Sequence, residues 1–141
     1  KEEAKKILFF AQKIISQGLT KPTVIIAGGE TTVTLNGQGV GGRNQEMALA
    51  FTIAAENYRL AVSDWVFLRA GTDGRDGPTE AAGAIVDPFS FNRMVQSSID
   101  PTTCLTNNDS NTALGRSNDL FIIGATGTNV ADLQILILQP F

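Results

Sequence analysis

Glycine placement constrains this chain more than any other feature: ten of its fourteen glycines lie between Gly28 and Gly83. They gather in two loops. One reads Gly39-Val-Gly-Gly-Arg-Asn-Gln-Glu46, and the other Ala70-Gly-Thr-Asp-Gly-Arg-Asp-Gly-Pro-Thr79. Glycine allows φ > 0 and close backbone approach, at an entropic cost in folding. Each loop adjoins a candidate strand or helix and carries Arg, Asp, Thr or Asn. Such loops suit a binding surface for a polar, anionic ligand.

The rest of the composition narrows the chemistry. At 141 residues, with 43% hydrophobic and 18% charged residues, the chain is long enough for one folded domain with a real core. A net charge of −3 gives no basic footprint and argues against nucleic acid as a partner. The longest apolar runs, such as Leu133 to Leu138, are too short to span a bilayer, so no membrane partner is expected. No signal-peptide pattern is visible. With no histidine, a Ser-His-Asp triad, a histidine base and a histidine metal site are all excluded within this chain. A lone Cys104 excludes an internal disulfide or a cysteine-built metal centre.

All five lysines lie at or before Lys21, so Arg43 and Arg75 are the only cations of the glycine loops. The phosphate-loop pattern G-x-x-x-x-G-K-[ST] is absent. A lysine needed to hold a transferring phosphate would have to come from elsewhere. The chain opens at Lys1 directly in a helical pattern, which raises the expectation of a piece of a longer polypeptide.

Ala4, Ile7, Leu8, Ala11, Ile14 and Ile15 repeat at helical spacing, and the helix should stop near Gly18 and Pro22. Thr23 to Ala27 reads as a buried strand and Thr31 to Leu35 as a second, half-buried one. Asn44 to Asn57 reads as a largely buried helix, followed by a strand at Trp65 to Leu68. Thr79 to Val86 is open between helix and strand. Phe89 to Ser98 suits a helix, Pro101 a turn, and Asn111 to Leu114 one helical turn. Leu120 to Ile123 and Leu133 to Leu138 complete the strands. The expected fold is a layered α/β domain, with a mixed β-sheet and helices packed on its faces. Ligands on such sheets sit at strand ends, where the glycine loops fall.

Two loops are candidates for chemistry. Gly41 and Gly42 lead through Arg43 and Asn44 into a helix, whose first amides and dipole attract phosphate or carboxylate. Arg43 adds a planar fork of donors for the same anions. The same residues also read as a glycine turn capped by Asn44, with Arg43 and Glu46 an ordinary surface pair. In the second loop Thr72, Asp73 and Asp76 offer three oxygen-bearing side chains, with Gly74 and Gly77 permitting tight turns. Carboxylates there suit Mg²⁺ held jointly with substrate phosphate, or acceptance of a hydroxyl proton. Asp and Gly also dominate purely structural turns. Glu30, at a strand end, faces either the same crevice or solvent. Asn107 to Asn111 reads first as turn chemistry, and Thr126 to Asn129 as either ligand donors or a tight connection.

Gly28-Gly-Glu-Thr-Thr-Val33, Gly41-Gly-Arg-Asn-Gln-Glu46, Gly71-Thr-Asp-Gly-Arg-Asp-Gly-Pro-Thr79, Ala82-Gly-Ala84 and Thr126-Gly-Thr-Asn-Val130 occur in an order that resembles the MOFRL domain. That domain forms the C-terminal part of class II glycerate kinases, also described as hydroxypyruvate reductases. The resemblance covers about Thr23 to Leu138. It implies ATP-dependent phosphorylation of D-glycerate to 2-phosphoglycerate with Mg²⁺, in a cleft between two α/β domains. The N-terminal domain, which would bring a lysine, is then this chain's partner. A cytoplasmic or mitochondrial place is implied.

By motif match, Arg43 becomes the phosphate or carboxylate clamp. Asp73 and Asp76, with Thr72, become metal, phosphate or hydroxyl groups. Glu30 and Asn129 become wall residues, and Gly41, Gly42, Asn44 and Gly74 are expected with them to bind substrate or phosphate. The sequence departs from the family at Ala125, where proline is frequent, and at Asn111, where an aromatic residue is common. A non-catalytic binding or assembly module is the alternative. Hydroxypyruvate reduction is disfavoured, because G-x-G-x-x-G opening a helix after a first strand is absent.

Overall fold

A computed structural model describes all 141 residues. The first helix, α1 (Glu2–Ser16), begins with Glu2 and Glu3 and ends near Lys13, charges that complement the helix dipole. Ala4, Leu8 and Ala11 are buried, with Ile7 and Ile15 packed beside them, so the apolar stripe read from the sequence is the contact face.

The sheet contains β1 (Thr23–Gly28), β2 (Asp64–Gly71), β3 (Gly83–Val86), β4 (Leu120–Phe121) and β5 (Asp132–Gln139). Its order is β1-β5-β2-β3-β4, and every neighbouring pair is antiparallel. The layered α/β class is as expected, but the sheet is not mixed. β1 and β2 run in the same direction, joined across the sheet by α2 (Arg43–Tyr58), and β5 fills the gap between them antiparallel to both. The connection through α2 is a crossover, but β1 and β2 do not pair, because the last strand lies between them.

α2 is buried almost all round, as a helix packed on every side must be. Phe51 stacks on Phe67 of β2 with ring centroids 4.3 Å apart, and meets Trp65 edge-on at 5.3 Å. Three short helices, α3 (Ser90–Gln96), α4 (Pro101–Thr106) and α5 (Ser110–Arg116), pack around α2. Pro101 therefore opens a helix and not merely a turn. Asp100 is its N-cap, accepting from the Thr102 amide, and proline at the first helical position lacks only a donor the helix does not use.

All five helices lie on one face of the sheet, so the expectation of helices on both faces is corrected. On the covered face Leu138, Leu136 and Phe67 are buried in the core. The same face turns polar towards one end, where Gln134 pairs across from Arg69, and Asp132 follows. The other face presents Val24, Ile26, Ile137 and Ile85 to solvent, which is why β1 is alternately exposed and not a fully buried strand. Thr31 to Leu35, expected as a strand, forms no ladder; residues 29–42 carry neither strand nor helix. This segment leaves the sheet and crosses to the Asn107–Asp109 bend instead. β4 stops at Phe121, two residues short of the expected strand, because its ladder with β3 holds only two pairs.

Candidate functional site

At the polar end of the sheet the two glycine loops meet over the start of α2. Asp76 is the joint between them. Its Oδ1 accepts from the Asn44 amide and Asn44 Nδ2, both at 3.1 Å. Its Oδ2 accepts from the Gln45 amide at 2.8 Å and Gln45 Nε2 at 3.1 Å. A carboxylate on these amides satisfies orphan donors and meets the positive end of the helix dipole. Burial pushes the Asp76 carboxyl above its ordinary pKa, while the four donors pull it down. Gly42 allows the approach, since a Cβ there would overlap the Asp76 carboxylate.

A carboxylate has about four lone-pair sites, and all of those on Asp76 are used. Asp76 is only 2% exposed. It is therefore corrected from catalytic group and metal ligand to the cap of α2. Asn44 shares that buried joint and does not face the hollow.

Arg43 is the first residue of α2. Its Nε donates to Asp132 Oδ2 at 2.6 Å and its Nη2 to Asp132 Oδ1 at 2.9 Å, a two-point dock. Nη2 also reaches Glu30 Oε1 at 3.3 Å. The hydrogen bond to Asp132 raises the Arg43 pKa above its ordinary value. Asp132 is fully buried and also accepts from Arg69 Nη2 at 3.2 Å, so one carboxylate anchors two arginines. Arg69 donates as well to the Gly29 carbonyl at 2.9 Å. Arg43 Nη1 makes no bond within the protein and remains available to a ligand. No Arg43–Glu46 pair forms; Glu46 Oε2 instead accepts from Asn108 Nδ2 at 2.9 Å.

These groups border a hollow of about 540 Å³, within the size range of small-molecule sites. Arg43, Asp73, Asp76, Gly41 and Gly42 lie on it as expected, Asp76 at its floor with its oxygens already engaged, joined by Thr31, Thr32, Glu46, Arg75 and Ser110. The amides of Thr31, Thr32, Val33, Gly41, Gly42 and Arg43 donate to no acceptor in the protein. Two arginines and this set of free amides make the hollow suited to an anion. A second hollow of about 460 Å³ lies between the same loop and the start of α1, sharing Arg43 and Glu46.

The other expected site residues lie elsewhere. Glu30 touches the site only through Arg43. Thr72 is spent on the last loop: its hydroxyl donates to the Ala131 carbonyl at 2.7 Å and accepts from the Val130 amide at 2.9 Å. Asn129 accepts from the Ala131 amide, closing its own turn. Gly74, at φ 86°, packs against the Gly124 carbonyl. All three lie outside the hollow.

Sequence reasoning missed Glu46, although it stands one helical turn beyond Arg43 within a quoted motif. It also missed Asn108. The Asn108 Oδ1 accepts from the amides of Asn36 and Gly37 at 2.7 and 2.9 Å, and Nδ2 donates to the Thr34 carbonyl at 3.2 Å. Asn108 thereby holds the loop that walls the hollow.

No group of three or more His, Cys, Asp or Glu side chains is placed to hold a metal ion. Asp73 accepts from the Arg75 amide through Oδ1 at 3.1 Å, while its Oδ2 is unengaged. A metal held by protein alone does not fit this donor set. One shared with ligand phosphates and a single carboxylate, Asp73, does.

Residues 23–132 match the MOFRL family. Similar chains include the D-glycerate 2-kinase of Thermotoga maritima, 48% identical over 123 residues, which cover 87% of this chain and 28% of that one. The glycerate kinase of Homo sapiens is 46% identical over 122 residues, covering 84% of this chain and 23% of its own. Among solved structures, the Thermotoga maritima glycerate kinase superposes with a TM-score of 0.85 at 43% identity, over 96% of this chain and 33% of that one. A Pyrococcus horikoshii protein superposes with a TM-score of 0.86 at 35% identity, over 99% and 32%. The chain thus spans about a quarter to a third of the length of these relatives.

Proposed function

The chain belongs to the MOFRL family, and from that premise we propose that it is the C-terminal part of a glycerate kinase, contributing one wall of the active site. The whole enzyme transfers the γ-phosphate of ATP to D-glycerate, giving 2-phosphoglycerate. The observation that carries this reading is Arg43, docked on the buried Asp132 with Nη1 free over a hollow of unpaired amides.

Phosphoryl transfer needs positioning and charge neutralisation more than covalent help from the protein. Arg43 Nη1 and the amides of Gly41, Gly42 and Arg43 hold an anionic oxygen, either of phosphate or of the glycerate carboxylate. Arg43 is pre-oriented by Asp132, so little side-chain entropy is lost on binding. In the reaction the glycerate hydroxyl oxygen bonds to the γ-phosphorus as the bond to the ADP oxygen breaks. Asp73, whose Oδ2 is unengaged, takes the hydroxyl proton or shares a Mg²⁺ ion. Mg²⁺ entering on the nucleotide phosphates would neutralise their charge there. Asp76 acts on the site by fixing the start of α2, and Asn108 by fixing the facing loop. The lysine that the loops lack comes from the partner domain.

Glycerate-dependent ADP release by a polypeptide of the relatives' full length tests the proposal. The expected result is ADP formed only when D-glycerate is present, with no NADH-dependent reduction of hydroxypyruvate. Reduction without ADP release would contradict it.

A further inference from the structure

A sheet with one wet face alternates apolar and polar residues along each strand, whereas one buried on both faces reads as continuous apolar runs. β1 and β5 read Val-Ile-Ile and Leu-Gln-Ile-Leu-Ile-Leu, the pattern of a sheet covered twice. Yet every helix lies on one side. The open side is laid out in rows across the strands: Val24 beside Ile137 beside Val66, then Ile26, Ile135, Leu68 and Ile85. Ile26 is 66% exposed, Val24 53%, Ile137 41% and Ile85 40%. Polar side chains occur only at one rim, where Asp64 pairs with Gln139. An apolar patch of this extent with a polar rim is the anatomy of an interface.

We infer that this open face is the seat of an apolar helical layer supplied by the part of a longer polypeptide that lies outside the present chain. The inference rests on the chain being one part of such a polypeptide, and not on its phosphoryl chemistry. Two observations support that occupant. The superposed relatives carry about two thirds of their length beyond the matched region, ample for another layer. The area is also telling. Five strands about 4.8 Å apart, over about five residues of about 3.4 Å rise, make a face of roughly 400 Å². Counted on both partners, this flat outline is a lower bound of roughly 800 Å², which already lies inside the range of contacts between domains of one chain. The rows end at Gly28 and Ala70, immediately before the loops that carry Glu30 and Asp73. A layer seated here also lies beside the hollow.

Ile85→Lys and Ile137→Lys, made together, test this in the 141-residue chain and at the aligned positions of the intact Thermotoga maritima enzyme. The expected result is a monomeric short chain, whose Tm moves by no more than about 2 °C. The intact enzyme should lose about 10 °C or more. A short chain that is a dimer, and becomes a monomer with the two lysines, would overturn the inference in favour of a second copy. An unchanged Tm in the intact enzyme would overturn it outright. Should the lysines unfold the short chain, labelling decides: Ile137→Cys should be alkylated at least about 100-fold more slowly in the intact enzyme, and equal rates would sink the inference.

Discussion

Asp132 and Asp76 are both buried carboxylates near the hollow, and each does work that its neighbours in sequence do not disclose. Asp132 faces Arg43 and Arg69 together, so its loss leaves a fully buried guanidinium without its counter-ion. Asp132→Asn is expected to cost about 3 kcal/mol or more in urea unfolding, and to raise KM for the anionic substrate in the full-length enzyme by freeing Arg43. Asp76→Ala removes the cap of α2 and strands four donors; a loss of about 3 kcal/mol is expected, with kcat falling because Arg43 sits in that first turn. The sequence singled out Asp73 and Asp76 together but could not divide their roles. The division is made by Asn44 and Gln45, some thirty residues away in the chain and in direct contact in the fold. Arg43 was legible because glycines, an arginine and a helix start have a joint meaning. Glu46 was not, because (i, i+3) spacing from Arg43 suggested a surface pair, whereas Asp132 took the arginine.

At the scale of elements, α1, α2, β1, β2 and β5 were readable from periodicity alone, which survives any arrangement that buries one stripe or both faces. The strand expected at Thr31 to Leu35 has the right alternation, but a ladder needs a neighbour. β5 holds the inner side of β1, and the segment is drawn away by Asn108. Asn108 stands at φ 56°, so Asn108→Gly keeps the backbone while deleting its four side-chain hydrogen bonds, three to the loop and one to Glu46. We expect this variant to speed hydrogen exchange at the amides of Asn36 and Gly37, at a cost of about 1–2 kcal/mol in stability. Unchanged protection would remove Asn108 as the strap.

α4 was missed although Asp100 and Pro101 form a start signal, because threonines follow and their helix propensity is low. The Thr103 hydroxyl, and next the Thr102 amide, hold the Asp100 carboxyl below its ordinary pKa. Because the folded value is the lower one, the cap contributes at pH above the unfolded value and is lost as pH falls through the folded one. Thermal unfolding scanned downward from neutral pH should therefore lose stability below about pH 4. Asp100→Asn should keep most of the neutral-pH stability and flatten that acid loss.

For the whole molecule, the layered class followed from alternating strands and helices, but the closing of the sheet by β5 and the bare second face did not. Both depend on which strand enters between β1 and β2, and no local pattern encodes that. A half-site of arginine, carboxylate and amides open on one side is consistent with an enzyme completed by further chain. The present chain alone is expected to release no ADP with D-glycerate. The most direct measurement is the kinetics of Arg43→Ala in a polypeptide of the relatives' full length. A fall in kcat/KM for D-glycerate of about 100-fold or more is expected, with Tm lowered only modestly. Turnover equal to that of the unsubstituted enzyme would contradict the site placed around Arg43.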